Sequence, residues 1–426
     1  MAARAAETPK RDVPDYDGRG AQPTTAGDVA LWVPRVVLFP PYVVSEYVLR
    51  RPIGWLVSTA EKQKWEVALL DFFTFGPDRK VGIVPTALID FGLRPSVGVY
   101  AWWDDALVKG NAVRAQFGTW GPQWINIGVT DRFPAGPGTM AISGSYSHRP
   151  DRPFFGMGPR SLQGNESRYD SSLSDGALEY KIPLAGWSSF VARTGARHRA
   201  FDIGQTCCGD PAVQTSIDQG RFAAPPGWNT PYTAAYQRLE VALDSRSKRP
   251  APQTGVRLEL DEEQASDVST SPGKSWMSWG GTVGGYVEVG RARVIALKVT
   301  ARFSDPLHGG PVPFTEQVAL GGNGPMRGYL FGRLVDRSAA VAELEYRWPI
   351  WVWLDGTMHA AFGNVFGEHL QGFEPRLLRL SSGIGLRTIG SPDHSFELLT
   401  GFGTETIADG FKVDSFRLMV GGTRGF

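Results

Sequence analysis

The feature that most constrains this chain is an alternation of apolar and polar residues that begins near residue 80 and recurs to the C-terminus. Between Ile295 and Phe303 every odd-numbered residue is apolar, while Lys298, Thr300 and Arg302 lie on the other side. A period of two is that of an extended strand, because successive side chains point to opposite faces. An uninterrupted apolar face opposite a charged face is typical of a strand that lies between lipid and a polar lumen.

About sixteen such segments lie between Val81 and Phe426, each of roughly the length that crosses a bilayer at a tilt. Short connections are expected near residues 104–109, 133–138, 183, 290, 349 and 392, and long ones near 149–168, 200–230, 263–278 and 304–335. Short turns on one side and long loops on the other are typical of membrane barrels. The sequence therefore predicts an all-β fold, a transmembrane antiparallel β-barrel of about sixteen strands with both termini on the periplasmic side.

Composition agrees with a barrel and excludes several functions. The 52 Gly, 14 Trp, 23 Phe and 12 Tyr suit tight turns and aromatic girdles at the membrane surfaces. Lys plus Arg number 44 and Asp plus Glu 43, and this balance argues against nucleic acid as a partner. The six His lack metal-ligand spacing, and neither a nucleophile elbow nor a Walker loop occurs. No enzyme, metal or cofactor is predicted.

The two cysteines, Cys207 and Cys208, are adjacent and cannot cross-link distant parts of the fold. They form either a vicinal disulfide or a pair of free thiols.

The N-terminal part of the chain differs from the rest. Residues 1–28 are polar and rich in Pro, Gly and charge, which predicts a disordered tail. Residues 29–64 predict a short amphipathic helical segment, with helices starting at Pro41 and Pro52. This segment is either an interfacial anchor or a plug that reaches into the barrel, which spans residues 65–426.

Several fragments, in order, resemble a known family. The segment Leu320 to Arg333, LGGNGPMRGYLFGR, resembles the tip of the sixth extracellular loop in the BamA/TamA-like barrels of the bacterial surface antigen family. Similar fragments are FFGMGPRS (154–161), LDSRSKRPAPQTGVRLEL (243–260), ELEYRWPI (343–350), AAFGNVF (360–366) and SSGIGLR (381–387). The resemblance covers about 350 residues and implies a barrel that assembles or translocates proteins at the outer membrane.

The resemblance implies a role for the triplet Arg327, Gly328 and Tyr329, in a loop that joins the eleventh and twelfth strands. Members of this family fold the triplet back into the lumen, where an arginine needs a carboxylate partner. The expected partner is Glu345, with Glu343 and Asn364 as further lumen partners. Gly328 is expected to permit a sharp reversal and Tyr329 to pack against the wall. Alternatively, Arg327 is a solvated loop charge.

Two departures from the family's pattern affect what is expected. Ala361 stands where the family usually has an Asp. The resemblance therefore implies less strongly that this chain makes all the contacts that hold the loop tip in the lumen of other family members. The residues before the barrel do not fit a periplasmic POTRA domain, so the chain resembles a subgroup that lacks this module.

The closing strand is expected to begin near Val413. It places Phe416, Leu418, Val420 and the terminal Phe426 on one side, as in the C-terminal signal that assembly machinery reads.

This strand must pair with the first strand, where Pro85 removes one backbone donor. The glycines Gly421, Gly422 and Gly425 weaken the other side of that seam. A weak seam suits the lateral gate that the resemblance implies, although barrel curvature also explains the glycines.

The sequence thus predicts an outer-membrane barrel of a Gram-negative bacterium that takes part in the insertion or translocation of proteins, or of lipids. Its expected partners are outer-membrane lipid, client outer-membrane proteins and accessory lipoproteins. The alternative is a passive or structural plugged pore without insertase activity.

Overall fold

The computed structural model describes residues 72–76, 78–202, 207–246, 253–270, 273–290, 292–351, 353–389 and 395–423, together with eight single positions between 29 and 59. The predicted tail, nearly all of the predicted helical segment and Phe426 lie outside the described residues. Within the described part of the chain, no helix has both the length and the apolar character needed to cross a membrane.

Sixteen long strands make up most of the described chain. They are β1 (Val81–Asp90), β2 (Ser96–Asp104), β3 (Ala112–Thr119), β4 (Ile125–Ala135), β5 (Gly138–Phe154), β6 (Ser167–Pro183), β7 (Ser189–Asp202), β8 (Tyr232–Asp244), β9 (Gly255–Asp267), β10 (Ser275–Glu288), β11 (Val294–His308), β12 (Ser338–Trp351), β13 (Leu354–Phe366), β14 (Arg379–Thr388), β15 (Ser395–Thr404) and β16 (Val413–Thr423). Each strand pairs antiparallel with the next along the chain, and β16 pairs with β1. The predicted closed barrel of sixteen strands is confirmed.

The connections alternate in length around the barrel. One end, here called the turn end, carries connections such as residues 136–137 and 184–188. The opposite end, here called the loop end, carries the long segments 155–166, 203–231 and 309–337. A short helix (Val213–Asp218) and a two-stranded ribbon (Val318–Leu320 with Leu334–Asp336) lie in these loops.

The two faces of the strands have opposite chemistry. On β11, Leu297 is 57% exposed on the outer face, whereas Lys298 donates to Glu343 and Glu345 of β12 inside the lumen. A soluble sheet would bury its apolar face in a core. Here the apolar face is outermost and the charged face is enclosed, as in a strand that meets lipid.

The adjacent cysteines lie in the loop between β7 and β8. Cys207 and Cys208 are joined to each other in a disulfide.

Candidate functional site: the loop tip and the barrel seam

The loop between β11 and β12 turns back into the barrel. Its ribbon carries a tip whose Met326 and Tyr329 are fully buried, in one apolar cluster with Ala361 and Val365 of β13. The triplet 327–329 therefore lies inside the barrel, against its inner wall.

Arg327 is held by a strand that the sequence analysis did not consider. Its Nη1 lies 3.0 Å from Oε1 of Glu397 on β15, and both side chains are largely buried. The expected direct ion pair with Glu345 is wrong, although Glu345 lies near enough for its charge to act on Arg327. Glu345 binds Lys298 at 2.6 Å and lies 3.3 Å from Arg347.

The two other expected lumen partners also bind elsewhere. Glu343 lies 3.0 Å from Lys298, whose ammonium it shares with Glu345. Asn364 donates to the carbonyl oxygens of Pro159, at 3.0 Å, and Leu377, at 2.6 Å. The amide of Asn364 thus ties neighbouring loops to β13 and does not replace the missing Asp.

Ala361 occupies the apolar cluster beneath the tip. A carboxylate at this position would be desolvated among apolar side chains. Glu397 of β15 supplies the negative charge that Arg327 needs.

Gly328 lies directly against the barrel wall. Its backbone N–H donates to Ser381 Oγ at 2.7 Å, and its carbonyl accepts from Ser415 Oγ at 3.0 Å. A Cβ at this position would lie 2.0 Å from the carbonyl oxygen of Phe402. The expected sharp reversal at Gly328 is wrong, because the positive φ angles in this segment occur at Gly321, Gly322, Met326 and Gly332 and not at Gly328. Gly328 is required because any side chain there would keep the loop tip from approaching the backbone of β15 at Phe402.

Tyr329 anchors the tip to β14 and β15. Its hydroxyl donates to the carbonyl oxygen of Thr404 at 2.5 Å and accepts from the Thr404 N–H at 2.7 Å. Its ring covers Gly403, where a Cβ would lie 2.2 Å from the ring. Burial raises the pKa of Tyr329 to about 12, so the hydroxyl remains protonated and can donate.

The loop tip also contacts the seam between the last and first strands. Arg417 of β16 donates from Nε and Nη2 to the two carboxylate oxygens of Asp90 on β1, at 2.8 and 2.7 Å. Nη1 of the same guanidinium donates to the carbonyl oxygens of Gly322 and Arg327. One buried side chain therefore joins β16, β1 and the loop tip.

The seam itself is short. β16 and β1 pair at only three described positions, Met419 with Asp90, Val420 with Ile89 and Gly421 with Leu88. Every other pair of neighbouring strands has seven or more paired positions, with seven between β14 and β15. At the turn end, the two-residue strand Thr74–Phe75 pairs with Gly82 and Val81 of β1. The opposite edge of β1 is taken there by β2, so Thr74–Phe75 occupies the edge that faces the seam.

The closing strand alternates as expected over the described residues. Phe416 is exposed on the outer face, while Leu418 and Val420 are half-buried beside it. Arg417 and Met419 are buried on the lumen side. Phe426 lies outside the described residues.

A second arginine ties the loop to the barrel nearer the loop end. Arg333 pairs with Asp414 at 3.1 Å and donates to Ser161 Oγ at 2.8 Å. Burial lowers the pKa of Arg333 to about 10, which still leaves it charged at neutral pH. Asp414 also lies 3.4 Å from Arg379 of β14.

Sequence reasoning missed Glu397, Arg417 and Asp90. The usable signal was a single charge at an inward position of an otherwise apolar strand, as in SFELLTGFGT around Glu397 and FRLMV around Arg417. Such a charge needs a buried partner. Its identity depends on which strands meet across the lumen, which local sequence does not specify.

Comparison with known proteins shows which family and which solved structures this barrel is similar to. Residues 213–421 match the family model of the Omp85 superfamily domain, a segment that contains the loop tip and most of the closing strand. No curated protein sequence matches the chain.

Solved structures share the fold at low sequence identity. BamA from Haemophilus ducreyi lacking POTRA domains 1-3 is 14% identical with a TM-score of 0.56, and the match covers 80% of this chain and 70% of that one. CdiB from Acinetobacter baumannii is 12% identical with a TM-score of 0.51, covering 80% of this chain and 59% of that one. CdiB from Escherichia coli is 13% identical with a TM-score of 0.50, covering 82% and 64%.

These likenesses establish the barrel fold, and the family match adds the region that holds the lumen-folded tip. Residues 213–421 therefore carry an Omp85 superfamily domain, within a chain that shares the β-barrel fold of these solved structures.

Proposed function

We propose that this barrel inserts or translocates proteins at the outer membrane of a Gram-negative bacterium, and that its seam between β1 and β16 opens for this purpose. The observation that carries the proposal is the seam of three paired positions in a barrel whose other strand pairs are all longer. Its partners would be outer-membrane lipid, client outer-membrane proteins and accessory lipoproteins. The proposal includes no catalytic step.

Backbone groups at an incompletely paired strand edge support this function. A strand edge in lipid must find hydrogen-bond partners, because each unsatisfied backbone group costs several kcal/mol there. An incoming client strand could add to β1 by β-augmentation. The pairing of Thr74–Phe75 on the same edge illustrates that β1 accepts a further strand there.

Contacts with the loop tip help to hold the seam closed. Arg417 binds both Asp90 and the backbone of the loop tip, so separation of β1 from β16 also removes contacts that hold the tip. A passive plugged pore, the alternative function, needs no opening at this position.

The test is a reversible cross-link of the seam. We would introduce Ile89→Cys with Val420→Cys, which are register partners on the outer face, in a Cys207→Ser, Cys208→Ser background. Proteoliposomes that contain the protein should accelerate the folding of an added unfolded outer-membrane barrel, measured by its heat-modifiable migration. Oxidation should abolish this acceleration and a reductant should restore it.

The matched control is Val99→Cys with Phe117→Cys, register partners on the outer faces of β2 and β3. Oxidation of this pair should leave the acceleration unchanged. If the unlocked barrel gives no acceleration over empty liposomes, or if both cross-links act equally, the passive pore is favoured.

A further inference from the structure

A cavity of about 130 Å³ lies between the β11–β12 loop and the wall formed by β5, β6 and β7 near the loop end. Arg149, Arg152 and Arg199 line it together with Phe154, Tyr169 and Phe314. Aspartate and glutamate are absent from the described residues that line it. It is separate from the triplet 327–329 and from the seam, although Phe331 and Gly332 of the same loop line it.

A β-bulge creates this concentration of positive charge. Arg149 pairs with Ser171 and Arg152 with Tyr169, so the strand β5 carries one extra residue between the two arginines. Without the bulge, positions 149 and 152 would face opposite sides of the sheet, since side chains alternate. With the bulge, both line the same cavity, and bulges often redirect side chains in this way at binding sites.

Two of the three guanidinium groups form no direct ion pair with a described carboxylate. Arg149 is neutralised by Asp151, with Nε and Nη2 both at 2.9 Å from its carboxylate oxygens. Among the described residues, the partners of the other two are neutral hydroxyls: Ser147 Oγ lies 3.4 Å from Arg152, and Tyr232 OH lies 3.2 Å from Arg199.

The surrounding atoms strengthen this observation. Within the described part of the chain, Nε of Arg152 is buried without a hydrogen-bond partner, as is Oε1 of Gln317, whose side chain also lines the cavity. Glu316, the carboxylate next to Gln317, is 3.1 Å from Arg197 and accepts a hydrogen bond from Tyr232.

Several other enclosed arginines have an ion pair with a carboxylate within 3.5 Å, namely Arg168, Arg197, Arg327, Arg333, Arg347, Arg379 and Arg417. A buried charge without a partner is strongly unfavourable. Arg152 and Arg199 differ in that no described carboxylate forms an ion pair with them, and a bound anion would supply that partner.

We propose that this cavity binds the phosphate monoester of a small phosphorylated compound, such as a sugar phosphate. A guanidinium presents a fork of donors that matches phosphate oxygens, and two of them face one cavity here. The aromatic walls suit the apolar face of the attached sugar ring. The same chemistry is offered by a free phosphate compound and by a phosphorylated lipid headgroup that enters from the loop end. This inference does not depend on the proposed function.

Isothermal titration calorimetry of the full chain in phosphate-free detergent buffer tests the inference. The titrants are glucose 6-phosphate, inorganic phosphate and, as an uncharged control, glucose. A second set of titrations uses the protein in nanodiscs with and without phosphatidic acid. If the headgroup of phosphatidic acid occupies the cavity, added glucose 6-phosphate binds less in the nanodiscs that contain this lipid. Binding that is equal in both nanodiscs indicates a free compound, and competition by phosphatidic acid indicates a headgroup.

Arg152→Gln and Arg199→Gln should each weaken glucose 6-phosphate binding about tenfold or more, because each removes a charge-assisted hydrogen bond. The matched control is Arg193→Gln on the same strand as Arg199, whose guanidinium is paired with Asp175 at 2.8 Å. It should leave the affinity unchanged. Heat-modifiable migration checks folding, and if Arg152→Gln does not fold, Arg199→Gln decides. Absence of phosphate binding by the unmodified chain, or an equal loss in Arg193→Gln, overturns the inference.

Discussion

Among single residues, two effects determine how the loop tip is held in the barrel. One is the free-energy cost of enclosing the charge of Arg327, and the other is the close approach of the backbone at Gly328 to the backbone of β15. Sequence alone predicted that Arg327 needs an acidic partner, since an unpaired guanidinium in the wall is unfavourable. It could not predict Glu397, because the partner is set by the position of the tip across the lumen, 70 residues away along the chain. Glu345 was a reasonable candidate by sequence distance, but Lys298 on the neighbouring strand already holds it.

Gly328 gives the sharpest prediction at this scale. A Cβ there would lie 2.0 Å from the Phe402 carbonyl oxygen, so Gly328→Ala should displace the tip and destabilise the barrel by about 2 kcal/mol, the range of overpacking substitutions. The measurement is urea-induced unfolding in lipid vesicles. Gly324→Ala is the matched control, because its nearest neighbour is 3.6 Å away and it lies in the same loop. Equal unfolding free energies for the two variants would contradict the close-approach role.

At the scale of elements, strands and their seam were predictable to different degrees. Each strand follows from its own alternation, and each adjacent pairing follows from a connection between chain neighbours. The pairing of β16 with β1 has no connecting turn, so its register depends on the stagger of the whole barrel. For that reason the sequence indicated a weak seam from Pro85 and the glycines, whereas the three-residue pairing and the Asp90–Arg417 contact emerged only from the structure.

The seam contact predicts a local change in backbone stability. Asp90→Asn removes the counter-charge of Arg417, and breaking a buried pair of this kind costs about 3 kcal/mol. Since the adjoining ladder has only three paired positions, we expect faster amide exchange at residues 88–90 and 419–421 in hydrogen–deuterium exchange.

Its control is Arg114→Gln, which removes an ion pair of 2.8 Å with Asp104 between β3 and β2. Those strands are joined at eight positions, so exchange at the seam should stay as in the unmodified chain. If Asp90→Asn leaves seam exchange unchanged while the barrel remains folded, the contact does not lock the seam.

At the scale of the whole molecule, the barrel class followed from two patterns that reinforce each other. Alternation indicated strands with one lipid-facing side, and the lengths of the connections indicated two different ends. Both patterns are repeated many times along the chain, so an error in one segment does not alter the class. The contents of the lumen are different, because they depend on one loop whose course is set by contacts with β14, β15 and β16.

The position of that loop in the lumen leads to a prediction about the ion conductance of the barrel. The tip fills part of the lumen and binds its walls through Arg327, Tyr329 and Arg333, so the intact barrel should conduct weakly in planar bilayers. Replacing residues 321–333 with a short Gly/Ser linker keeps both strands of the ribbon, removes the tip and leaves polar lumen groups open to water. Conductance should then rise several-fold, because the aqueous path through the lumen becomes wider.

The control replaces residues 120–123, an exposed connection at the same end, and should leave conductance as it was. Unchanged conductance after removal of the tip would show that other parts of the chain close the lumen, and the loop would then serve the seam rather than the pore.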